Sequence, residues 1–426
     1  MSLDWSKILS SSDAFPESPS SIKAIQTHIS YVFVLDDVVY KIKKPVDFGF
    51  LDFTTLEKRK HFCEKELELN RRLCPDLYLG VEPIVKTPQG YQIGGEGEVV
   101  DYAVKMKRMP EEGMMSNLLR KNSITERHID LIVDALVEFY KNARTGPGVD
   151  EYGSIETVRF NTEENFSQTA SYVGTAIGPH RYEYIVSYTR DFIEANRDLF
   201  ERRIKEGRIR EGHGDLYSQN ICFKDTEKVY IFDCIEFNER FRSGDVASEV
   251  AFLSMDLDYH GRQDLSDYFV KRFIEKSGDR ELLQILDFYK TYRAYVRGKI
   301  GCFTYSSEEV PENVRAQALE DAKRYFNLAY GYSGGRPTVF VVFGLTGTGK
   351  TTLSKALSSR SLATHISSDI TRKALAGVRP EEKHLEPYER GIYSSDFTER
   401  TYQRMLTLAE EAILEGRDVI LDGTYR

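Results

Sequence analysis

Cysteine and long apolar runs are scarce in this sequence, and an excess of positive charge is absent. Its five cysteines (Cys63, Cys74, Cys222, Cys234 and Cys302) are scattered, odd in number and never in a C-x-x-C pair. This argues against a disulfide framework or a zinc signature and points to reduced, buried thiols in a cytoplasmic protein. No apolar stretch reaches the length needed to span a bilayer, so no membrane association is expected. The opening segment MSLDWSKILSSSDAFPESPSS has no basic flank followed by an apolar run, which argues against a signal peptide. Its Ser and Pro content predicts a flexible lead-in over residues 1–25. Lys and Arg number 58 against 67 Asp and Glu, a formal net charge of −9. That balance disfavours nucleic acid and anionic lipid as partners.

What remains is an ordinary globular composition, 41% hydrophobic and 29% charged over 426 residues, long enough for two or three domains. Tyr31 to Val34 and Val38 to Lys43 read as two strands joined by an Asp36-Asp37 turn. Thr54 to Leu73 reads as a helix stopped by Pro75, and Val99 to Met106 as a further strand. The pattern then becomes helical. Ser123-Ile-Thr-Glu126 reads as a capping box, followed by Ile129, Ile132, Leu136 and Phe139 at helical spacing. Ile185 to Phe200 predicts a long helix. Ile221–Phe223 and Val229–Phe232 form a β-rich insert, and helices resume near Val246, Leu282 and Val314. The expected order is a small β-rich lobe over 26–110 and a helical lobe over 111–330. Residues 331–337 form a Gly-rich linker, and an α/β module occupies 338–426.

The sharpest local motif lies in that last module. The apolar run Val339–Phe343 leads directly into Gly344-Leu-Thr346-Gly347-Thr348-Gly349-Lys350-Thr351, and a helix starts at Thr352. A G-x-x-x-x-G-K-[ST] loop between strand and helix binds the phosphates of ATP or GTP. Glycines let the backbone amides curl around an anion, the helix N-terminus adds its dipole, Lys350 reaches the β- and γ-phosphates, and Thr351 ligates magnesium. Val419–Asp422 is an apolar strand ending in a carboxylate suited to a second magnesium contact. Asp369 falls at a helix start, with Arg372 one turn later. The pair suits a base for an acceptor hydroxyl and a phosphate grip, or else an N-cap with a solvated Arg. This region resembles small P-loop kinases of the gluconate kinase and polynucleotide kinase type. The resemblance covers about the last ninety residues, part of a usual domain, so an incomplete parallel sheet is expected.

A second constellation lies upstream. His213-Gly214-Asp215-Leu-Tyr-Ser-Gln-Asn220 has the spacing of a kinase catalytic loop, in which Asp215 orients or deprotonates the acceptor hydroxyl and Asn220 binds magnesium. After the β-rich insert, Asp233 ends an apolar strand where a carboxylate can hold the same metal. HGDLYSQN, IFDCIEF and the Gly244-Asp245 helix start together resemble the aminoglycoside and choline phosphotransferase superfamily, which shares the protein-kinase fold. Within it, the chain looks closest to a subgroup of uncharacterised bacterial proteins that fuse this domain to a P-loop kinase. The resemblance implies a strand-three lysine at Lys41, with Lys43 on the same strand face as the alternative. It also implies a helix glutamate at Glu66, with Glu64 and Glu68 competing, and a hinge near Met106–Met109. No G-x-G-x-x-G precedes Lys41, so a different turn near Thr27–Tyr31 takes the place of the phosphate-covering loop. Asp47-Phe48-Gly49 precedes the catalytic loop and is rejected as a metal motif. Glu249, Asp256 and Asp258 are read as a solvated helix face rather than an acceptor pocket.

The expected fold is therefore an α+β two-lobed protein-kinase-like fold followed by an α/β P-loop domain. The expected function is magnesium-dependent transfer of phosphate from ATP to small-molecule hydroxyl groups, with Asp215 and Asp369 as catalytic residues. The alternatives are a nucleotide sensor with one inactive module, and a nucleic-acid 5′-hydroxyl kinase in the last module. The acidic charge balance argues against the second of these.

Overall fold

The computed structural model describes residues 3–224, 227–379 and 391–425. A short helix, α1 (Trp5–Ile8), precedes a six-stranded sheet made of β1 (Lys23–Gln26), β2 (Ser30–Val34), β3 (Val38–Lys43), β4 (Tyr78–Thr87), β5 (Gly90–Ile93) and β6 (Glu98–Lys107). Its order is β1-β2-β3-β6-β4-β5, with every neighbouring pair antiparallel. Side chains alternate faces along a strand. On β3 this sends Tyr40 and Ile42 into an apolar cluster with Phe33 and Leu35 and leaves Lys41 and Lys43 on the other face. Helix α2 (Leu56–Asn70) packs on β6 and β4. The Thr55 side chain caps its N-terminus by accepting from the Lys58 amide at 3.2 Å.

The lead-in is not loose. Trp5, Leu9 and Phe15 are buried in the same cluster as Phe33 and Tyr40. The Trp5 indole donates to Asp101 at 3.1 Å. Three large apolar side chains within fifteen residues outweigh the Ser and Pro content from which flexibility was expected.

After the sheet come α3 (Met115–Arg120) and α4 (Glu126–Asn142). The cap of α4 sits two residues later than the expected box. Thr125 and His128 form it, while the Ser123 hydroxyl donates to the Lys121 carbonyl. Next are α5 (Ile155–Thr169), α6 (Pro179–Ala195) and α7 (Arg197–Lys205). The single helix expected over 185–200 breaks at Asn196, whose side chain donates to the Phe192 carbonyl at 2.8 Å. Strand β7 (Ile209–Glu211) pairs with β10 (Ser243–Asp245), and β8 (Ile221–Phe223) with β9 (Val229–Ile231). The short helix α8 (Glu239–Arg242) leads into β10. Then follow α9 (Val246–Tyr259), α10 (Gln263–Ser277), α11 (Leu282–Ser306) and α12 (Glu312–Tyr332). The last region holds β11 (Val339–Phe343), α13 (Lys350–Ser361), β12 (Thr364–Ser367), α14 (Ser368–Leu375), α15 (Ser395–Leu414) and β13 (Val419–Gly423). Its sheet is parallel, three strands in the order β11-β13-β12. The architecture is a protein-kinase-like fold together with a P-loop domain.

As compact bodies the chain divides differently from a boundary at 331–337. One unit comprises residues 1–157 and 198–286, and the other 158–197 and 287–426. The second unit therefore contains the P-loop domain and the helices α6 and α12. The reason is visible at Arg181 of α6, which is buried. Its guanidinium donates to Asp418 at 3.0 Å, to the Gly416 carbonyl at 2.6 Å and to Asn327 of α12 at 2.6 Å. The expected linker is also tied down. The Gly335 amide donates to the Tyr330 carbonyl and the Thr338 amide to Asp418.

In the first unit, Arg203 of α7 is fully buried and makes paired bonds to Asp245 (2.5 and 2.7 Å) and Asp279 (2.9 and 2.8 Å). Asp245 also caps α9 by accepting from the Ala247 amide at 2.8 Å. Arg203→Ala strands two buried carboxylates. It is expected to cost about 3–5 kcal/mol, read as a lower urea midpoint for the first unit's transition.

Candidate active sites

The first site assembles inside the first unit, on the Lys41 face of β3. The Lys41 ammonium lies 3.0 Å from Glu66 Oε1 on α2 and 2.6 Å from Asp233 Oδ1. Burial works against that charge, but the carboxylates of Asp233 and Glu66 outweigh it and hold the lysine well above its ordinary value. Burial likewise raises Glu66, and the two lysines beside it bring it below the usual carboxylate range. Glu64 and Glu68 are more than half exposed and pair with Lys60 and Lys65 on their own helix, so Glu66 is the inward glutamate. Lys43 joins as well, at 2.7 Å from Glu66 Oε2, and pairs with Glu236. Both lysines thus belong to the network, and Lys41 is the one that meets Asp233.

Asp233 occupies a left-handed backbone conformation, φ 62°, which Asp tolerates better than most residues. Bonds on every side hold it there. The Asp233 amide donates to the Tyr78 hydroxyl at 3.2 Å, and the Cys234 amide to Asn70 Oδ1 at 2.9 Å. The Phe232 amide donates to the Asn220 carbonyl and the Ile235 amide to the His213 carbonyl. The Asp233 side chain keeps 46% of its surface exposed, which leaves the carboxylate reachable.

The segment 213–220, expected to be the catalytic loop, is held by Glu249 of α9. This carboxylate accepts from the His213 amide at 2.7 Å, from the Gly214 amide and from the Tyr140 hydroxyl at 2.7 Å. Asp256, about two turns further along the same face of α9, accepts from the Ser218 amide at 2.9 Å. Every residue of α9 from Val246 to Asp258 is buried, so the solvated-face reading of Glu249, Asp256 and Asp258 is overturned. Glu249 and Asp256 satisfy loop amides that would otherwise be unpaired in the interior. Gly214 has φ 89°, and a Cβ there would lie 2.9 Å from the Phe241 carbonyl, so the turn requires glycine.

His213 is completely buried, and burial lowers its pKa. Its Nε2 lies 2.9 Å from the Phe232 carbonyl, which can only accept, while Nδ1 accepts from the Asp215 amide at 3.3 Å. The ring is therefore the neutral Nε2–H tautomer, a strut between the catalytic loop and the Asp233 turn. Asn220 Nδ2 donates to Asp215 Oδ2 and to the Asp215 carbonyl, each at 2.9 Å, which turns the amide oxygen of Asn220 the other way. Lys41, Glu66 and Asp233 thus form one bonded group and Asp215 with Asn220 another, and His213 and the Asn220 carbonyl tie the second to the main chain at Phe232, next to Asp233.

The second site lies at the C-terminal edge of the parallel sheet, where ligands of α/β folds bind. The loop after β11 has Gly344, Gly347 and Gly349 at φ 146°, 82° and 85°. Gly349 caps α13 in the left-handed conformation. The Lys350 ammonium donates back to the Leu345 carbonyl at 2.6 Å, and the Thr348 hydroxyl to the same oxygen at 2.8 Å. Thr351 and Thr352 follow in the first turn of α13. Asp422 is the last residue but one of β13, pairs in register with Val342 and Ser367, and lies 3.3 Å from His365 Nε2. Asp369 and Arg372 do not act as a pair. Asp369 bonds to Lys373 at 2.9 Å. Arg372 is buried, donates to the Ile392 carbonyl and the Thr398 hydroxyl, and stacks over Tyr393. Its guanidinium is engaged in packing α14 against α15, so the expected phosphate grip is not seen.

Residues 339–426 match the protein family described as an AAA domain. Over 417 residues the chain is 32% identical to uncharacterized proteins of Mycobacterium bovis and Mycobacterium tuberculosis, covering 97% of this chain and 80% of each relative. The chain belongs to the family of these proteins. Solved structures similar to it include a choline/ethanolamine kinase family protein from Mesorhizobium loti (TM-score 0.44, 10% identity, 75% of this chain and 95% of that one). An ethanolamine kinase from Plasmodium vivax matches with TM-score 0.41 and 11% identity over 71% of this chain and 81% of that one.

For this family member, reading the motifs missed Glu236 and misplaced Glu249. A signal existed for both. Glu249 stands in the run Val246-Ala-Ser-Glu-Val-Ala-Phe-Leu253, where an acid flanked by apolar residues on all sides implies a buried acceptor. Glu236 stands in the same IFDCIEF motif that contains Asp233. His365 beside Asp422 had no such signal, because only the strand register brings them together.

Two expectations follow. Glu249→Ala leaves three donors unsatisfied and is expected to cost at least about 3 kcal/mol, measured by urea unfolding. Because the folded state disfavours His213 protonation, the unfolded chain binds that proton first as pH falls below about 6.5. Its contribution is complete above that pH and is lost as pH falls through the lower folded-state value. The urea midpoint should therefore drop between pH 7 and pH 5, and by less in His213→Gln.

Proposed function

We propose that the first unit transfers the γ-phosphoryl group of ATP to a hydroxyl of a small molecule. The observation that carries this reading is the gathering of five residues from four separate stretches of chain: Lys41 bonds to Glu66 and Asp233, Asn220 bonds to Asp215, and His213 ties the Asp215 loop to the Phe232 carbonyl next to Asp233. Lys41 has three donors; Glu66 and Asp233 take two, and the third suits a phosphate oxygen. Asp215, held by Asn220, accepts the proton of the acceptor hydroxyl. The residues fit magnesium, which binds proteins through one or two oxygen ligands and takes the rest from phosphate and water. Asn220 and Asp233 would hold it, and when bound it would offset charge on the β- and γ-phosphates.

The second unit binds ATP or GTP through Gly344 to Thr352. The three positive-φ glycines and the start of α13 fit a polyphosphate, with Thr351 and Asp422 as the magnesium side. Asp369 serves there as the base if this unit also transfers phosphate. The inward turn of Arg372 favours the other reading, in which this unit binds nucleotide and reports it to the first. Five buried free cysteines support a cytoplasmic setting.

Screening a metabolite library for acceptor-dependent ATP consumption identifies the substrate and tests the whole proposal. Asp215→Asn is expected to lower that activity about 10²–10⁴-fold while leaving the fold intact. Lys350→Ala is expected to weaken nucleotide binding at the second unit about 10–100-fold. If phosphotransfer to the identified acceptor survives Asp215→Asn, the assignment of the first site is wrong.

A further inference from the structure

The network around Lys41 contains more than a phosphate-binding lysine and its glutamate need. Lys43 is 1% exposed, sits 4.9 Å over the Phe53 ring, and bonds to both Glu66 Oε2 and Glu236. Glu236 is also buried. The five charged residues form a closed ring. Asp233 meets Lys41, Lys41 meets Glu66 Oε1, Glu66 Oε2 meets Lys43, Lys43 meets Glu236, and the backbone from 233 to 236 returns to the start.

Stability alone is a poor reason for such a ring. A buried ion pair is commonly replaceable by apolar side chains of similar volume without loss. What the ring does supply is geometry. Lys41 and Lys43 project from the same face of one strand, two residues apart, at a fixed spacing. They grip two carboxylates that stand three residues apart on one turn. Main-chain bonds at residues 232 to 235 already place the backbone of this turn. The hold at Glu236 adds a side-chain anchor beside them, so that the strand grips the turn at both of its carboxylates and helps set the direction of one whose backbone is in a disfavoured left-handed conformation.

We propose that Lys43 and Glu236 are positioning residues that orient Asp233 toward the divalent cation accompanying the nucleotide. The inference rests on the reading of this unit as a magnesium–nucleotide site. Neither residue touches the nucleotide; both act through the turn that carries Asp233. Outer contacts that orient a metal-holding carboxylate typically change metal affinity about 10–100-fold when removed.

The test uses the full chain carrying Lys350→Ala, so that ADP binding reports the first unit. ADP affinity is measured by calorimetry across a magnesium titration and again in chelator. Two variants are compared with this parent: Glu236→Gln, which keeps a bond to Lys43, and the double change Lys43→Met with Glu236→Leu, which removes one charge of each sign and leaves Glu66 its bond to Lys41. The expected result is a magnesium half-saturation raised about tenfold in both, with ADP affinity in chelator within about threefold of the parent. A parallel urea titration should show the double variant no less stable than the single one. Unchanged magnesium dependence in the folded double variant overturns the proposal. So does an equal loss of ADP affinity with and without magnesium, which marks general damage to the site. Lys41→Ala separates the two levels. If the parent binds no ADP, or Lys41→Ala leaves its binding intact, the reading of the unit itself fails.

Discussion

One buried carboxylate, Glu66, holds two lysines at once, and the first site depends on it. Its two oxygens face Lys41 and Lys43, so a single side chain on α2 fixes the face of β3 that points at the catalytic loop. Each of these charges alone would be costly to bury. Together they are arranged so that every ammonium touches two carboxylates, which favours the ionised forms of Lys41, Lys43, Glu66 and Asp233, while burial raises Glu236 above the usual carboxylate range. The same contacts couple sheet, helix and turn. The sheet cannot shift against α2 without parting Lys41 from Glu66, and the Asp233 turn cannot move without parting it from Lys41.

Below that ring, a second layer does for the backbone what Glu66 does for side chains. Glu249 and Asp256 present carboxylates to the amides of residues 213, 214 and 218. The neutral imidazole of His213 spans from this loop to the Phe232 carbonyl. Catalytic loops without regular secondary structure carry unpaired amides by necessity. Here acids on a fully buried helix answer them, and Arg203 in turn fixes the cap of that helix. The order of support runs outward from α7 to α9, from α9 to the loop, and from the loop to Asp215.

Much of this was legible in the residues. The alternation along β3, the apolar strand before Gly344 and the spacing from Asp215 to Asn220 each state a local rule that tertiary structure did not override. Lys41 and Lys43 were indistinguishable because they share a strand face, and the structure uses both. Glu66 stood apart from Glu64 and Glu68 only by its helix face. The buried acids of α9 were misjudged because their partners, Tyr140, His213, Gly214 and Ser218, lie about 35 residues or more away in sequence. The lead-in was misjudged because its Ser and Pro content was weighed above Trp5, Leu9 and Phe15. The division into compact units was hidden for a similar reason, since nothing near Arg181 announces Asp418.

That division has a consequence for how the polypeptide is made. Residues 158–197 are a segment of the second unit lying between the two stretches that form the first. On a ribosome adding about 5–20 residues per second, α6 emerges well before Asn327, Gly416 and Asp418, the groups that satisfy Arg181. The first unit can close once residue 286 is out. The apolar partners of the excursion come soon after, since Phe192 stacks on Phe288 and Phe166 meets Tyr295. The polar partners of Arg181 come last, so assembly of the P-loop sheet is the event that satisfies its guanidinium, and slow or interrupted synthesis after residue 286 prolongs the interval in which that charge lacks Gly416 and Asp418.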